Sequence, residues 1–394
     1  MKRTIRDFKL ENKKVIVRCD FNVPIENGAI TDDSKIKAHL ETIKYIIDRN
    51  GKVILLSHLG RIESEGDKQK YSLKPIAIRL SELLDRDVKF VPETKGDLVY
   101  EAVANMRNGE IIMLENTRFE DLDGKKESKN NIELSKYWAS LGNIFINDAF
   151  GTSHRAHASN VGIASNLESG IGFLIEKELN NLEPIIKNPK RPFMVILGGK
   201  KVSDKIGVIN NLVTVADKII VGGAMCFTFL KAKGYNVGQS LVEDEQIDFC
   251  KKVLELHSDK IILPQDINVS LEYSPTVTGR IVDIANINYN EMGLDIGPQT
   301  INLYKSILRN AKTVIWNGPM GVCEFNKFNI GTKSLCEALS KQKITVVIGG
   351  GDSAAFVKQF GYQDKFTHVS TGGGATLELL EGKALPGIAV IPEK

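Results

Sequence analysis

The sequence contains no uninterrupted apolar run of the roughly 18 residues that a membrane-spanning helix requires. The best candidate, residues 219–230, is broken by Gly222 and Gly223. The first residues are basic, but no apolar segment of signal-peptide length follows them. We therefore expect neither a membrane protein nor a secreted one.

Cysteine is scarce, and neither sign of charge predominates. Five cysteines among 394 residues form no C-x-x-C pair and no zinc-ligand spacing, which favours reduced thiols in a cytoplasmic protein. Lys and Arg total 52 against 49 Asp and Glu, giving a formal net charge of +3. This balance predicts no general attraction to nucleic acid or membrane, so any anion site must be local.

The sequence does contain a regular alternation of short β-branched runs with longer helical patterns. The runs are residues 15–17, 53–56, 111–114, 144–146, 194–197, 219–221, 261–263, 313–316 and 345–348. Alternation of this kind indicates βαβ units and parallel sheets. The predicted fold class is α/β, with two Rossmann-like domains, each a parallel sheet flanked by helices.

The boundary between the two domains is predicted near the middle of the chain. Residues 176–182 have a helical pattern, which Pro184, Pro189 and Pro192 then interrupt. A chain of this length also exceeds what one hydrophobic core usually organises. We expect domains at residues 1–183 and 184–379, joined by a hinge helix.

Basic and polar side chains follow the predicted strands of the first half. These strand-end segments are residues 20–22, 57–61, 115–118 and 147–157, with three arginines and three histidines among them. The carboxyl ends of parallel strands share one edge of the sheet, so these side chains could bind a small, multiply charged anion. For any single arginine, a helix cap or a surface ion pair remains an alternative. His58, His154 and His157 are only a weak metal-ligand pattern.

Glycine dominates the strand ends of the second half. The segments are residues 198–205, 222–224, 317–321, 349–353 and 371–374. Glycines let backbone N–H groups approach phosphate oxygens, and helices predicted to start at Ser353 and Ala375 would add positive N-terminal dipoles. These features favour a nucleotide site, although each loop alone could be a tight turn.

Asp352 has two possible roles in this half. It could bind magnesium on the nucleotide phosphates, or it could be a helix N-cap. The nearby basic residues Lys201 and Lys205 favour magnesium binding by Asp352 over the N-cap role.

The signatures of common nucleotide-binding folds are missing. The sequence has no Walker motif, no protein-kinase catalytic loop, and no G-x-G-x-x-G opening a βα unit before a ribose-binding acid. The missing fingerprint argues against a dinucleotide-dependent dehydrogenase, the strongest rival. A non-catalytic two-domain anion-binding protein would leave the glycine-rich half and Lys201 unexplained.

Five motifs together resemble the phosphoglycerate kinase family. They are RCDFNVP (18–24), SHLGR (57–61), NDAFGT (147–152), WNGPMG (316–321) and STGGG (370–374), and the match continues in the family's order to LPG at 385–387. The resemblance implies a cytoplasmic, monomeric enzyme of glycolysis and gluconeogenesis. Its expected reaction is reversible, Mg²⁺-dependent phosphoryl transfer between ATP and the carboxylate of 3-phosphoglycerate, giving ADP and 1,3-bisphosphoglycerate.

The resemblance also implies where the two substrates bind. The amino-terminal domain would hold 3-phosphoglycerate and the carboxyl-terminal domain the nucleotide, with residues 380–394 packing back onto the former. The substrate-binding set is Asp20, Phe21, Asn22, Lys35, His58, Leu59, Gly60, Arg61, Arg118 and Arg155. The nucleotide-binding set is Lys205, Gly293, Glu324, Gly350, Gly351, Asp352 and Ser353, with Asp352 at magnesium and Glu324 near the ribose.

The expected catalytic groups supply charge and position, not a proton acceptor. A carboxylate nucleophile is already ionised at neutral pH, so no general base is required. Positive charge and backbone N–H groups on the transferring phosphoryl group are assigned to Lys201, Lys35 and Gly373.

Four positions depart from the family pattern. Lys35 stands where an arginine is usual, Cys323 where phenylalanine is usual, Lys200 where a small residue is common, and Ile62 where proline is frequent. Lysine retains the charge of arginine but lacks its planar fork. Bidentate contact is therefore not expected at Lys35.

Overall fold

The computed structural model describes the whole chain, Met1–Lys394. The residues form two compact units, one of Met1–Leu179 with Ala384–Lys394 and one of Asn180–Lys383. The last segment belongs to the amino-terminal unit, where the Lys394 N–H donates to the Met1 carbonyl (2.8 Å) and the Arg3 N–H to the Pro392 carbonyl (2.9 Å). No helix is both long and apolar enough to cross a membrane.

The amino-terminal half of the chain contains eight strands and seven α-helices. The strands are β1 (Lys14–Arg18), β2 (Ile25–Glu26), β3 (Ala29–Ile30), β4 (Lys52–Leu56), β5 (Val88–Val91), β6 (Ile111–Leu114), β7 (Ile144–Asn147) and β8 (Glu168–Ile171). The helices are α1 (Ser34–Ala38), α2 (Leu40–Ile47), α3 (Asp67–Lys70), α4 (Lys74–Leu84), α5 (Asp97–Ala104), α6 (Ile132–Ser140) and α7 (Phe173–Lys187).

Six of these strands form one parallel sheet in the order β5-β6-β4-β1-β7-β8, whereas β2 and β3 pair as a separate antiparallel hairpin. The central strand β1 has Val15, Ile16 and Val17 fully buried, as expected for a parallel strand covered on both faces. Its register places Arg18 beside Leu56 of β4 and Asn147 of β7. The loops that leave these three strands therefore begin at the same edge of the sheet.

The remaining chain contains nine strands and eight α-helices. The strands are β9 (Phe193–Leu197), β10 (Lys218–Val221), β11 (Ile261–Ile262), β12 (Asp266–Ser270), β13 (Arg280–Asp283), β14 (Met292–Ile296), β15 (Thr313–Asn317), β16 (Thr345–Gly349) and β17 (His368–Val369). The helices are α8 (Ile206–Val215), α9 (Met225–Ala232), α10 (Ile247–Leu256), α11 (Pro298–Leu308), α12 (Ile330–Ser340), α13 (Gly351–Gln359), α14 (Gly374–Leu380) and α15 (Pro386–Ala389).

The carboxyl-terminal unit has its own six-stranded parallel sheet, in the order β11-β10-β9-β15-β16-β17. Strand β15 pairs Asn317 with Leu197 of β9 and with Gly349 of β16. The ends of these three strands therefore lie side by side. The predicted α/β class with two parallel sheets is confirmed.

The structure also contains a three-stranded antiparallel sheet, β13-β12-β14, which the strand pattern did not predict. Strand β13 has three exposed residues out of four, and β14 is interrupted by Gly293. Neither strand therefore has the continuous apolar run by which the buried parallel strands were recognised.

Three predicted helix limits were wrong. Helix α7 continues through Pro184 to Lys187, where the proline was expected to interrupt it. Helix α13 begins at Gly351 and α14 at Gly374, in place of Ser353 and Ala375. Glycine has low intrinsic helix propensity, so sequence reasoning assigned these positions to the preceding loops.

We expect a loss of stability when the Tyr304 hydroxyl is removed. Tyr304 is fully buried in α11 and donates a 2.6 Å hydrogen bond to the Val221 carbonyl. Tyr304→Phe should lower the free energy of unfolding by about 1–2 kcal/mol because the buried carbonyl loses its partner. Urea unfolding followed by circular dichroism measures this. Tyr289→Phe, at an 81% exposed tyrosine, is the control and should match the unmodified protein; equal stability of both variants would contradict the expectation.

Candidate active site

The loops after β1 and β4 are joined at the edge of the amino-terminal sheet. The Lys35 ammonium, on α1, lies 2.9 Å from the Asp20 Oδ2 atom. The Asn22 N–H donates to Asp20 Oδ1 (3.2 Å), and Asn22 Oδ1 accepts from the Gly60 N–H (3.0 Å). Four of the predicted substrate-binding residues thus form one connected group.

Gly60 links this group to Arg118. Its φ is +61°, and an added Cβ would lie 2.4 Å from the Tyr71 ring, so only glycine fits. Its carbonyl accepts a hydrogen bond from the Arg118 guanidinium. The neighbouring Leu59 carbonyl accepts from Asn116 (2.8 Å), whose Oδ1 caps the Arg118 N–H (3.0 Å). The strand-end loops therefore fix the position of Arg118.

Two predicted substrate contacts have inaccessible side chains. Phe21 is fully buried and Leu59 is 2% exposed. The Phe21 N–H donates to Ser57 Oγ (2.9 Å). Any contribution of Phe21 and Leu59 to binding is limited to their backbone and to packing.

The cationic side chains at this edge lie close enough to destabilise one another's charge. Burial lowers the pKa of Arg118 below its usual range, and the charges of Arg18 and Arg155 lower it further. Burial together with Arg18, Arg118 and Arg155 also lowers the pKa of His157 to about 3. An anion placed here would relieve this repulsion.

His58 is held as a neutral donor. Burial lowers its pKa well below the usual value, and although Asp20 opposes this, Arg18 adds to it. The Arg18 Nη2 atom lies 3.4 Å from His58 Nδ1. Arginine can only donate, so Nδ1 must accept and Nε2 carries the proton. His58 can thus offer an N–H to an oxygen without adding charge.

Asp20 remains ionised in this environment. Burial raises its pKa, but the charge of Lys35 and the hydrogen bond from Lys35 lower it more, so the pKa lies well below its usual range. Asp20 therefore adds a hydrogen-bond acceptor to a mainly cationic site.

Arg61 and Arg155 are the exposed members of the set. The Arg155 Nε atom donates to His154 Nε2 (3.2 Å), and the Arg155 backbone N–H donates to the Thr152 carbonyl (3.1 Å) in the loop that leaves β7. The charge of Arg155 lowers the pKa of Arg118. Neither arginine is in a salt bridge with a surface carboxylate, the alternative considered from the sequence.

At the carboxyl-terminal sheet, three glycine loops pack backbone against backbone. An added Cβ at Gly198 would lie 2.1 Å from the Pro319 carbonyl, at Gly223 2.4 Å from the Gly199 nitrogen, and at Gly318 2.3 Å from the Gly198 carbonyl. Side chains are therefore excluded from this edge. The glycines permit the close approach of main chain that phosphate-binding loops require.

Lys205 lies beside these loops. Its ammonium would be 3.5 Å from a Cβ added at Gly199, and the residue is only 8% exposed. Burial lowers its pKa, and Asp204 and Asp352 offset this only in part. Lys201 is exposed. Burial raises the pKa of the neighbouring Glu243, whereas hydrogen bonds from Ser203 and Val202, and then the charge of Lys201, lower it. Both lysines are thus available to an anion.

The loop after β16 leads directly into α13. Gly350, with φ of +92°, is the N-cap, and an added Cβ would lie 2.7 Å from Asn317 Nδ2. Gly351 begins the helix, and Ser353 is buried with its hydroxyl accepting the Gly318 N–H (2.7 Å). Asp352 is the second residue of the helix and is exposed. It is therefore not the N-cap, which was the alternative to metal binding.

A cavity of about 450 Å³ adjoins this edge. Its lining includes three predicted nucleotide residues, Gly293, Glu324 and Asp352, together with Lys200 and Cys323, two departures from the family pattern. An added Cβ at Gly293 would lie 1.9 Å from the Phe227 ring, so glycine is needed there. The volume lies within the range of small-molecule sites.

Sequence reasoning missed the apolar wall of this cavity. The wall consists of Phe227, Leu241, Tyr273 and Met292, together with the buried Asp295. Burial raises the pKa of Asp295 to about 7, although three backbone N–H donors lower it. The wall is partly built by β12 and β14, the strands that were not predicted.

Gly373 is placed at the start of α14 with φ of +51°, and an added Cβ would meet nothing within 4 Å. The neighbouring Gly372 N–H donates to Ser370 Oγ (3.1 Å). Space beside Gly373 is thus open to a ligand.

A glycine-rich edge for phosphates and a separate cationic edge for an acceptor are what a nucleotide-dependent phosphotransferase requires. Comparison with known proteins places the chain in that class. The family model described as phosphoglycerate kinase matches residues 5–383. The chain belongs to the phosphoglycerate kinase family, whose reaction is glycolytic phosphoryl transfer to a carboxylate.

Relatives and solved structures agree over the full length. Proteins named phosphoglycerate kinase from Fusobacterium nucleatum and Listeria innocua are 56% and 57% identical, with 100% of both chains covered. The structure of phosphoglycerate kinase from Coxiella burnetii matches with a TM-score of 0.89 and 38% identity, covering 99% of this chain and 98% of that one. The enzyme from Pyrococcus horikoshii matches at 0.86 and 32%, covering 98% of both. A dehydrogenase and a non-catalytic anion-binding protein are not supported.

We expect acid to destabilise the fold through His157. Its folded pKa of about 3 lies below the ordinary 6.5, so the unfolded chain binds more protons between these values. The stabilisation is complete above the ordinary pKa and is lost as pH falls toward the folded one. Lowering the pH from about 6.5 to about 5 should cost the unmodified protein about 2 kcal/mol more than His157→Gln.

Urea unfolding at the two pH values measures this difference. His257→Gln, at the end of α10, is the matched histidine control and should lose as much stability as the unmodified protein. A His157→Gln variant with the same loss would show that His157 does not bind the additional proton.

Proposed function

We propose that the chain transfers the γ-phosphoryl group of ATP to the carboxylate of 3-phosphoglycerate, and the reverse, with magnesium on the nucleotide. The acceptor binds at the strand edge of the amino-terminal unit, and the nucleotide at the glycine-rich edge of the carboxyl-terminal unit. The observation that carries this assignment is the convergence of Arg18, Arg118 and Arg155 at one edge, where their charges repel, beside the neutral His58. A substrate with a phosphate and a carboxylate would relieve that repulsion.

The acceptor's groups match the donors and acceptors of this edge. Arg118 and Arg155 suit the phosphate, because guanidinium groups bind phosphate oxygens in pairs. Arg61, exposed nearby, adds charge, and the neutral His58 offers an N–H. Asp20 accepts a hydrogen bond, so it suits the substrate hydroxyl.

The nucleotide site combines buried charge with exposed backbone. Lys205 is buried beside Gly199, and a phosphate would compensate an ammonium that is otherwise costly to bury. Gly350, Gly351 and Ser353 form the start of α13, where N–H groups and the helix dipole favour anions. Gly293 and Glu324 line the adjoining cavity, which suits the base and ribose.

Asp352 fits a metal shared with the nucleotide. It is an exposed carboxylate in the first turn of α13, and the chain has no cluster of three or more potential metal-binding side chains. Magnesium is often held by one or two carboxylates together with substrate phosphates. When bound, it would neutralise charge on the phosphate oxygens.

The chain's own residues perform the rest of the reaction. The acceptor carboxylate is the nucleophile and needs no general base. Lys201 and the N–H groups near Gly373 stabilise the oxygens of the transferring phosphoryl group. Lys35 has three N–H donors, so it can keep its hydrogen bond to Asp20 and donate another to the transferring phosphoryl group.

We also propose that the enzyme is a cytoplasmic monomer. All five cysteines are free and buried, which suits a reducing compartment. The monomeric state follows from the family resemblance.

The decisive assay follows ADP release from ATP and 3-phosphoglycerate, with and without magnesium, while a trapping agent removes the acyl phosphate. Turnover that needs both 3-phosphoglycerate and magnesium supports the proposal. Folded protein that binds both ligands without turnover would overturn the catalytic assignment.

We expect Lys201→Ala to impair chemistry more than binding. Removing a preorganised charged donor should lower kcat by about a hundredfold to a thousandfold. Steady-state kinetics at saturating substrates measures this, with Lys252→Ala, at an exposed lysine of α10, as the control. An unchanged kcat for Lys201→Ala would contradict the role.

We expect Arg155→Ala to separate the two substrates. Loss of one charged hydrogen-bond donor should raise KM for 3-phosphoglycerate by about tenfold to a hundredfold. KM for ATP should stay constant because the nucleotide is assigned to the other unit. Arg86→Ala, at an exposed arginine after α4, is the control. A selective increase in KM for ATP would refute the assignment of substrates to units.

A further inference from the structure

His39 connects α1 to α2 and has no assigned role. Its side chain is 1% exposed. The Nε2 atom accepts a hydrogen bond from the Asp20 backbone N–H (3.0 Å), and the Nδ1 atom lies 2.9 Å from Asp148 Oδ2. His39 thus contacts the backbone of a residue assigned to the acceptor site.

These partners determine the tautomer of His39. A backbone N–H can only donate, so Nε2 must accept and the ring proton lies on Nδ1. That proton is donated to the Asp148 carboxylate, which is fully buried. The other Asp148 oxygen accepts the Leu174 N–H (2.9 Å) in the first turn of α7. Asp148 therefore keeps the imidazole in the one tautomer that can bind Asp20.

The same segment of chain holds Asp20 at two points. Lys35 and His39 are four residues apart, a spacing that places side chains on one face of a helix. Lys35 binds the Asp20 carboxylate, and His39 binds its backbone N–H. The Phe21 and His39 rings also pack nearly perpendicular to each other, with centroids 5.3 Å apart.

We propose that His39 is a positioning residue for the phosphoryl acceptor. It fixes the backbone of Asp20, so that the Asp20 carboxylate and Asn22 meet the substrate while Lys35 faces the transferring group. Asp148 acts through His39 by maintaining its tautomer. The inference rests on the proposed function, because it takes Asp20 to be a substrate contact.

The test uses full-length variants that separate the two nitrogens. His39→Gln retains an acceptor near the position of Nε2, whereas His39→Asn retains a donor near Nδ1. Asp148→Asn keeps the shape of the carboxylate but presents an amide to the ring, which favours the wrong tautomer. His39→Ala removes both hydrogen bonds, and His257→Ala is the histidine control.

Kinetics and calorimetric binding of 3-phosphoglycerate provide the readouts. We expect His39→Ala to lose about tenfold to a hundredfold in kcat/KM for 3-phosphoglycerate, with KM for ATP unchanged. His39→Gln should recover more of that activity than His39→Asn. Asp148→Asn should resemble His39→Ala. The double variant His39→Ala with Asp148→Asn should lose no more kcat/KM than either single variant.

Three results would overturn the inference. They are full activity in His39→Ala, equal losses in the glutamine and asparagine variants, and a parallel increase in KM for both substrates that follows a loss of thermal stability. If His39→Ala fails to fold, the comparison of His39→Gln with His39→Asn decides. Inactivity of the unmodified protein toward 3-phosphoglycerate would instead reject the proposed function itself.

Discussion

Repulsion among cations is the constraint on which the proposed acceptor site depends. Arg18 is 1% exposed, and burial lowers its pKa, with Glu127 and Asp20 opposing this. Glu127, fully buried, lies 3.9 Å from Arg18 and 3.7 Å from His157. Glu127 is the main charge that compensates Arg18, but it is the smallest of the causes that act on the pKa of Arg118. The positive charge left at the strand edge is therefore available to a substrate, and His58 and His157, whose pKa values are lowered, do not add to the repulsion.

The edge proposed for the nucleotide follows from a different constraint, the close packing of main chain. Gly198, Gly223 and Gly318 approach so closely that any side chain would collide with backbone. The resulting surface carries few side-chain charges, so selectivity for phosphate must come from backbone dipoles and from Lys205 and Lys201. The edge proposed for the acceptor thus relies mainly on charged side chains, whereas the edge proposed for the nucleotide relies on backbone, open space and two lysines. Both lie at the carboxyl ends of parallel strands.

The sequence predicted the repeated parallel strands and most of the polar residues that follow them. The nine β-branched runs lie in strands of the two parallel sheets, and the motif residues Asp20, Asn22, Gly60 and Arg118 prove to be connected by hydrogen bonds. Strands β13 and β14 could not be recognised, because β13 is mostly exposed and β14 is interrupted by Gly293, so neither has a continuous apolar run. The apolar cavity wall, which β12 and β14 help to build, was missed because these strands were not recognised.

His39 shows a further limit of sequence reasoning. A single histidine between two short helices has no distinctive local pattern, and its partners lie 19 and 109 residues away in sequence. Only the folded sheet, which brings the ends of β1 and β7 together, gives this side chain a defined pair of hydrogen bonds. Its importance therefore could not be inferred from spacing.

The two contacts that hold Asp20, from Lys35 and from His39, bear on how the lysine at position 35 can act. An arginine could span two partners with its planar fork, whereas a lysine presents one compact charge. Lys35 is two-thirds buried and already bonded to Asp20, so its usefulness to a phosphoryl group depends on where Asp20 is held. A rigid Asp20 reduces the positions open to the Lys35 ammonium and lowers the entropy lost when it binds a second oxygen. Fixing Asp20 through its backbone is therefore a physical means by which a flexible lysine can act at a position where preorganised charge is required.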